Sequence, residues 1–353
     1  MDWRDNVRRV DPYVPGEQPT GKHIIKLNTN ENPYPPAPGV QEVLRDMPAG
    51  DMRLYPDPTA ALLVEKLAAA YHVKKEQVFV GVGSDDVLAM SFLTFFNGEK
   101  PLLFPDISYS FYEVWAECFR IPYRKIPLTE DWRIDPAAYT VPCGGIIFPN
   151  PNAPTGVALS TDGIRKILEA NRDVVVIVDE AYVDFGAETA LPLLEEFDNL
   201  LVVQTFSKSR SMAGMRIGFA IGGEELIRCL GDVRYSFNSY TMNRPSILAG
   251  VAALEDRAYF ERTVEKIIRT RDSVREELEE MGFACTDSMT NFLFVTHPDI
   301  PAEELFRLLR EREIYVRYFA LPRIDNYLRI TIGTAGQMQV LLDTLRRILR
   351  GRT

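Results

Sequence analysis

Lys208 stands between two serines in QTFSKSRSMAGMRIG (residues 204–218), directly after the apolar run LLVV (200–203) and eight residues before Arg216. An amine at the end of a buried strand gives up hydration, which favours its neutral form, and a neutral amine is a nucleophile rather than an ion-pair partner. A lysine that snorkels to the surface could occupy the same place. Its neighbours weigh against that, because the hydroxyls of Thr205, Ser207 and Ser209 and the guanidinium of Arg216 could together hold a phosphate.

Three further apolar runs end in polar groups, and in open α/β sheets ligands bind at the carboxyl ends of strands. VDEAY (178–182) puts Asp179 at such an end. That pattern occurs where an ATPase holds magnesium, but it also suits a carboxylate that pairs with a cation such as a protonated ring nitrogen. GVGSDD (81–86) offers backbone N–H groups at a helix start, fit for a phosphate or simply a Ser/Asp cap. It lacks the third glycine of a dinucleotide fingerprint, and no G-x-x-x-x-G-K-[ST] occurs. FPNPNAPTG (148–156) is the third end. A nucleotide-binding switch protein using GVGSDD and VDEAY would leave Lys208 unexplained. A lysine that forms a Schiff base, an aspartate for a ring nitrogen and a phosphate cradle are together what pyridoxal phosphate requires.

The elements that must position these groups alternate. ALLVEKLAAAYHV, SDDVLAMSFLTFF and TDGIRKILEAN read as helices. QVFVGVG, PLLFP, GGIIFP, VVVIVDE, LLVVQ and IGFAIG read as short strands whose continuous apolar runs are typical of parallel strands covered on both faces. Residues 1–36, rich in Pro, Asn and Tyr, read as an extended arm, and 37–250 as a large α/β domain. Residues 251–353, with a long charged helix, the strands NFLFVT, IYVRY and YLRITIG, and helices around 302–312 and 337–350, read as a smaller α+β domain.

Forty basic and 50 acidic residues give a net charge of −10, which opposes general attraction to nucleic acid or an anionic membrane. The start of the chain has no apolar signal region and no run of 18 apolar residues occurs, so a cytoplasmic protein is expected. Cys118, Cys143, Cys229 and Cys285 are widely spaced and read as free, mostly buried thiols; with three histidines scattered, no metal site is expected.

The segments PYVPGE, KLNTNENPYP, RLYPDP, GVGSDD, ISYSFY, NPNAPTG, VDEAYVDF, TFSKSRSMAGMRIG, VRYF and YLRITIGT, in this order over nearly the whole chain, resemble those of fold-type I pyridoxal-phosphate aminotransferases of the histidinol-phosphate aminotransferase group. The resemblance implies a large domain with a mostly parallel seven-stranded sheet and a smaller C-terminal α+β domain. It also implies transamination in histidine biosynthesis, between L-histidinol phosphate and 2-oxoglutarate. Aromatic amino-acid aminotransferases and threonine-phosphate decarboxylases share the fold.

By the same resemblance Lys208 forms the Schiff base and shuttles the proton, Asp179 holds the pyridinium N–H, Tyr182 and Asn152 bond the ring 3-oxygen, and Tyr109 stacks on the ring. Ser84, Asp85, Thr205, Ser207 and Arg216 would cradle the phosphate, and Tyr55 would reach it from the second subunit of a homodimer. Arg329 would grip the substrate's carboxylate or phosphate, with Arg317 and Tyr13 also on the substrate side. Two departures stand out: Ala153 precedes Pro154 where many relatives have a second asparagine, and YSFNSYTMNRPS (235–246) is atypical, with Asn238 and Asn243 as candidates to face the substrate.

Overall fold

A computed structural model describes residues 2–21 and 23–351. The arm is extended apart from one 3-10 turn, Trp3–Asn6, and carries the two-residue strand β1 (Ile25–Lys26). Helix α1 (Pro38–Asp46) starts with a proline in its first turn, where no amide hydrogen is needed, and α2 (Ala61–Tyr71) follows. The large sheet comprises β2 (Val78–Gly81), β3 (Leu102–Pro105), β4 (Tyr123–Ile126), β5 (Gly145–Pro149), β6 (Val176–Asp179), β7 (Leu200–Thr205) and β8 (Gly218–Gly222), in the order β2-β8-β7-β6-β5-β3-β4.

The sheet is covered by α3 (Ser84–Phe95), α4 (Phe111–Phe119), α5 (Thr161–Ala170) and α6 (Glu224–Phe237). Successive strand residues enter opposite cores. Ile147, Ile177 and Leu201 pack with Phe92 of α3, whereas Ile146, Val178 and Val202 pack with Ile164 and Leu168 of α5. Burial on both faces explains the unbroken apolar runs.

One strand corrects the sequence reading. IGFAIG, expected among the parallel strands, forms β8, which runs antiparallel to both β7 and β2. The link from β7 to β8 contains only a 3-10 turn, Ala213–Met215, and a parallel return would need a crossover of a dozen or more residues, usually a helix. Strand β4, sequence YRKI, escaped the sequence reading because its central residues are polar and exposed at the sheet edge.

Helices α7 (Arg244–Glu255) and α8 (Arg257–Glu280) lead to a four-stranded antiparallel sheet. Its strands β9 (Ala284–Cys285), β10 (Phe292–Thr296), β12 (Arg317–Tyr318) and β13 (Leu328–Thr331) are ordered β12-β13-β10-β9, and α9 (Ala302–Arg310) and α10 (Ala335–Arg350) complete this part. IYVRY, expected as one strand, is split: β11 (Ile314–Tyr315) pairs with β1 of the arm, and β12 pairs with β13. The arm is thereby anchored to the C-terminal part of the chain. Of the four free cysteines only Cys143 is buried; Cys118, Cys229 and Cys285 are half-buried, contrary to the expectation of mostly buried thiols.

Candidate active site

The carboxyl ends of β2, β5, β6 and β7 open on a cavity of about 560 Å³, closed on its other side by the arm and by residues of β12 and β13. Lys208, Asp179, Tyr182, Thr205, Ser207 and Arg216 line it, as do Ser84, Asp85, Tyr109, Tyr13, Arg317 and Arg329.

Asp179 ends β6 and is 5% exposed. Its Oδ2 accepts from Tyr112 Oη at 2.7 Å and its Oδ1 from the Ala181 N–H at 3.2 Å. Burial pushes the carboxyl up to about 6; the two hydrogen bonds pull down, the Asp85 charge pushes up and the Lys208 charge pulls down. No cation is bonded directly to this carboxylate among the described residues, so a positively charged ring nitrogen would relieve it.

Lys208 follows β7 and is half-buried. Its Nζ donates to the Thr29 carbonyl at 3.2 Å and lies 5.7 Å from the centre of the Tyr182 ring. The arm fixes the backbone around it: Asn32 Nδ2 donates to the carbonyls of Lys208 and Ser209 at 3.0 and 3.2 Å.

At one end of the cavity α3 begins at Ser84 with no side-chain cap, which leaves a helix N-terminus facing the space. Arg216 Nη2 bonds Asp85 Oδ2 at 3.2 Å, and Tyr109 Oη donates to Asp85 Oδ1 at 2.8 Å. Thr205 Oγ1 and Ser207 Oγ lie 3.0 Å apart. The backbone here has no room for side chains. A Cβ on Gly218 would sit 2.2 Å from the Ser84 nitrogen, and one on Gly83 would sit 2.5 Å from Arg216 Nη2.

At the other end Arg329 and Arg317 face the cavity. Arg329 Nη2 donates to the Asn28 carbonyl at 3.0 Å, while its buried Nε has no hydrogen-bond partner among the described residues. Its guanidinium lies over the rings of Phe292 and Phe319, 5.4 and 5.6 Å from their centres. Burial pushes its pKa down; Tyr182 pushes it up, Arg317 down and Tyr13 up. Among the described residues no carboxylate pairs with it, so an anion is the missing partner. Tyr13 stacks on Phe111 at 4.2 Å and closes this side.

Three expectations are corrected. Asn152 does not line the cavity. Its Nδ2 donates to the Ile107 carbonyl at 3.0 Å and to Thr155 Oγ1 at 2.9 Å, which commits both amide hydrogens inside the loop. The wall it was expected to furnish consists of Pro149, Ala153 and Pro154. Asn243 caps α7 by accepting from the Ser246 N–H at 2.8 Å, and Asn238 ends α6 on the surface, so neither lines the cavity. Tyr55, expected to act from a second subunit, lies outside the cavity of its own chain, 83% exposed beside Tyr240. Tyr112 and Asn30 lie within ISYSFY and KLNTNENPYP, but only the third dimension shows that they bond Asp179 and Tyr182.

The family model described as aminotransferase class I and II matches residues 22–345. The chain belongs to the class I and II aminotransferases. Similar members of this family include the histidinol-phosphate aminotransferase of Lactococcus lactis subsp. cremoris (strain SK11), 51% identical over 100% of this chain and 99% of the relative. Another is that of Chromohalobacter salexigens, 53% identical over 99% of each chain. Among solved structures, the histidinol-phosphate aminotransferase of Sinorhizobium meliloti in complex with pyridoxal-5'-phosphate shares the aminotransferase fold. It has a TM-score of 0.84 at 23% identity, with 93% of this chain and 92% of that chain covered.

Proposed function

We propose that this aminotransferase carries an amino group from L-histidinol phosphate to 2-oxoglutarate in two stages, with pyridoxal 5'-phosphate as its cofactor. One observation carries the reading: an amine, Lys208, and a buried carboxylate, Asp179, open into a single cavity with an anion-binding group at each end, Arg216 at one and Arg329 with Arg317 at the other.

The residues fit the cofactor. The uncapped start of α3, the close approach of Gly83 and Gly218, Ser207, Thr205 and Arg216 make a phosphate cradle. Asp179, a carboxylate without a bonded cation, would hold the ring N–H. When bound, pyridoxal phosphate supplies an aldehyde for amine exchange and an electron-withdrawing ring. Lys208 Nζ would hold it, and the same amine would serve as the base that moves a proton at the substrate's Cα. Tyr182 and Tyr109 line the same cavity, Tyr109 bonded to Asp85, and the Tyr182 hydroxyl would donate to the ring oxygen. Arg329 presents a planar fork to the substrate's anion, with Arg317 beside it as a second cation, a pairing suited to a phosphate monoester donor and a dicarboxylate acceptor in turn.

The enzyme works as a homodimer in the cytoplasm. A half-reaction screen tests the assignment: the visible spectrum is followed as histidinol phosphate, phenylalanine, tyrosine, glutamate and threonine phosphate are added in turn. Conversion to the amine form by histidinol phosphate and glutamate at comparable rates supports the reading. Conversion by aromatic amino acids alone, or carbon dioxide release from threonine phosphate, overturns it.

A further inference from the structure

Asn30 is held on every side. It is 1% exposed and has φ +56°, a conformation asparagine tolerates better than most residues. Its N–H donates to Thr331 Oγ1 at 3.0 Å, and its carbonyl accepts from Asn291 Nδ2 at 3.0 Å. The Thr331 hydroxyl, having accepted from that N–H, donates to Asn30 Oδ1 at 3.0 Å. The side-chain amide is thus oriented with its nitrogen towards Tyr182, and Nδ2 donates to Tyr182 Oη at 2.8 Å.

A phenol has one hydrogen to give. With the Asn30 amide occupying an acceptor position on Oη, the Tyr182 O–H is left to donate, and Tyr182 lines the cavity beside Lys208. Donation to Oη also polarises the phenol and makes it a stronger donor. The neighbouring wall of Pro149, Ala153 and Pro154 offers no side-chain donor, and Asn152 is bonded elsewhere. Tyr182 therefore carries a task that nothing on that wall can share.

We propose that Asn30 is a positioning residue for the reaction: it commits the Tyr182 proton to the cofactor's ring oxygen and so sets how readily Lys208 Nζ, bound to the cofactor, gives up its proton. This rests on the pyridoxal-phosphate reading above. A donor at the ring oxygen stabilises negative charge there and weakens the hold of that oxygen on the neighbouring Nζ proton. Losing the donor therefore moves proton loss to higher pH.

The other charges facing the site are Asp179, Asp85 and Glu31 among acids and Arg216, Arg317 and Arg329 among bases; Tyr13 and Tyr109 also face it. None of them bonds Asn30 in the structure, so all stay in place when Asn30 is changed.

The test is a pH titration of the visible absorption band of the cofactor-loaded protein. Asn30→Asp keeps the shape and the left-handed backbone but replaces the donor with an acceptor that draws the phenol proton away. The midpoint is expected to rise by about one pH unit in Asn30→Asp. In Asn30→Ala it should rise by less, and in Tyr182→Phe by at least as much as in Asn30→Asp. Adding Asn30→Asp to Tyr182→Phe should leave the midpoint where Tyr182→Phe puts it. Should Asn30→Asp fail to fold, Thr331→Val, which frees the amide to turn, is expected to raise the midpoint in the same direction. The wild-type midpoint in both Asn30→Asp and Thr331→Val, or an equal shift with and without Tyr182, overturns the proposal. Absence of any visible band in the wild type would instead overturn the cofactor reading.

Discussion

Arg317 and Arg329 sit directly opposite each other across the antiparallel pair β12 and β13, so two cations share one face of the small sheet. Like charges so placed destabilise a sheet unless an anion lies between or before them. The unpartnered Nε of Arg329 points to the same missing group. Arg329→Lys replaces a fork with a point charge and cannot restore two parallel bonds. It is expected to lower kcat/KM for the phosphorylated donor by about 10- to 100-fold, mostly through KM, while the spectrum of the bound cofactor stays unchanged. Steady-state kinetics with unaltered KM would remove Arg329 from the substrate side.

Among the described residues the Lys208 amine bonds the Thr29 carbonyl alone, and it lines the cavity. Lys208→Ala should still take up cofactor through the phosphate cradle and Asp179, yet lose turnover by about 10⁴-fold or more. Borohydride followed by peptide mass mapping should label residue 208 in the wild type and nothing in the variant. Transamination at an appreciable rate by Lys208→Ala would end the assignment.

Much of this cavity's lining was legible because its polar residues follow apolar runs, and a strand buried on both faces announces its own end. Asp179, Thr205 and Lys208 are found that way. Side-chain direction within loops was not legible. Asn152 and Ala153 are neighbours in NPNAPTG, and only the bonds of Asn152 to Ile107 and Thr155 show that alanine faces the cavity. The direction of β8 depends on what its connection contains, and the pairing of β1 with β11 joins residues nearly 290 apart. Tyr112 and Asn30 bond partners on other elements, which no local pattern encodes.

Tyr112 supports Asp179, yet burial still leaves that carboxyl at about 6, above its ordinary 3.8. A raised folded value means that the contribution to stability is full below about pH 4 and is lost as pH rises through about 6. Cofactor-free protein should accordingly lose about 2–3 kcal/mol from this group between those limits. Glu180, buried and pushed up to about 7, adds a loss of the same sign. Denaturant melts across this range should show a shallower decline for Asp179→Asn than for the wild type, with the Glu180 part remaining. Cofactor should stabilise the wild type more than the variant, since only the wild type offers a charge to the ring nitrogen. Identical pH slopes for the two proteins would contradict the electrostatic account of Asp179.

Gly83 precedes α3 with φ +84°, and an added Cβ would press on the Arg216 guanidinium. Gly83→Ala costs backbone strain and displaces the cation from the phosphate cradle. Cofactor affinity is expected to fall by about 10- to 100-fold, with the circular-dichroism spectrum retained. Equilibrium dialysis giving the wild-type dissociation constant would show that the phosphate binds elsewhere.

Tyr55 lies beside Tyr240, their tilted rings 4.7 Å apart, and Leu54 and, at 70%, Phe237 are exposed as well. An aromatic residue 83% exposed in such company is placed to be covered by a second copy, whose cavity it would complete. Complementation tests this without requiring the dimer to be dissociated in the assay. Subunits carrying Tyr55→Phe keep Lys208, and subunits carrying Lys208→Ala keep Tyr55, so a mixed dimer contains one intact site only if Tyr55 acts across the interface. Unfolding and refolding equal amounts together should bring activity to about a quarter of the wild type, because half the dimers are mixed and each has one good site in two. If Tyr55 served its own subunit, mixing would yield no more than the average of the two parents.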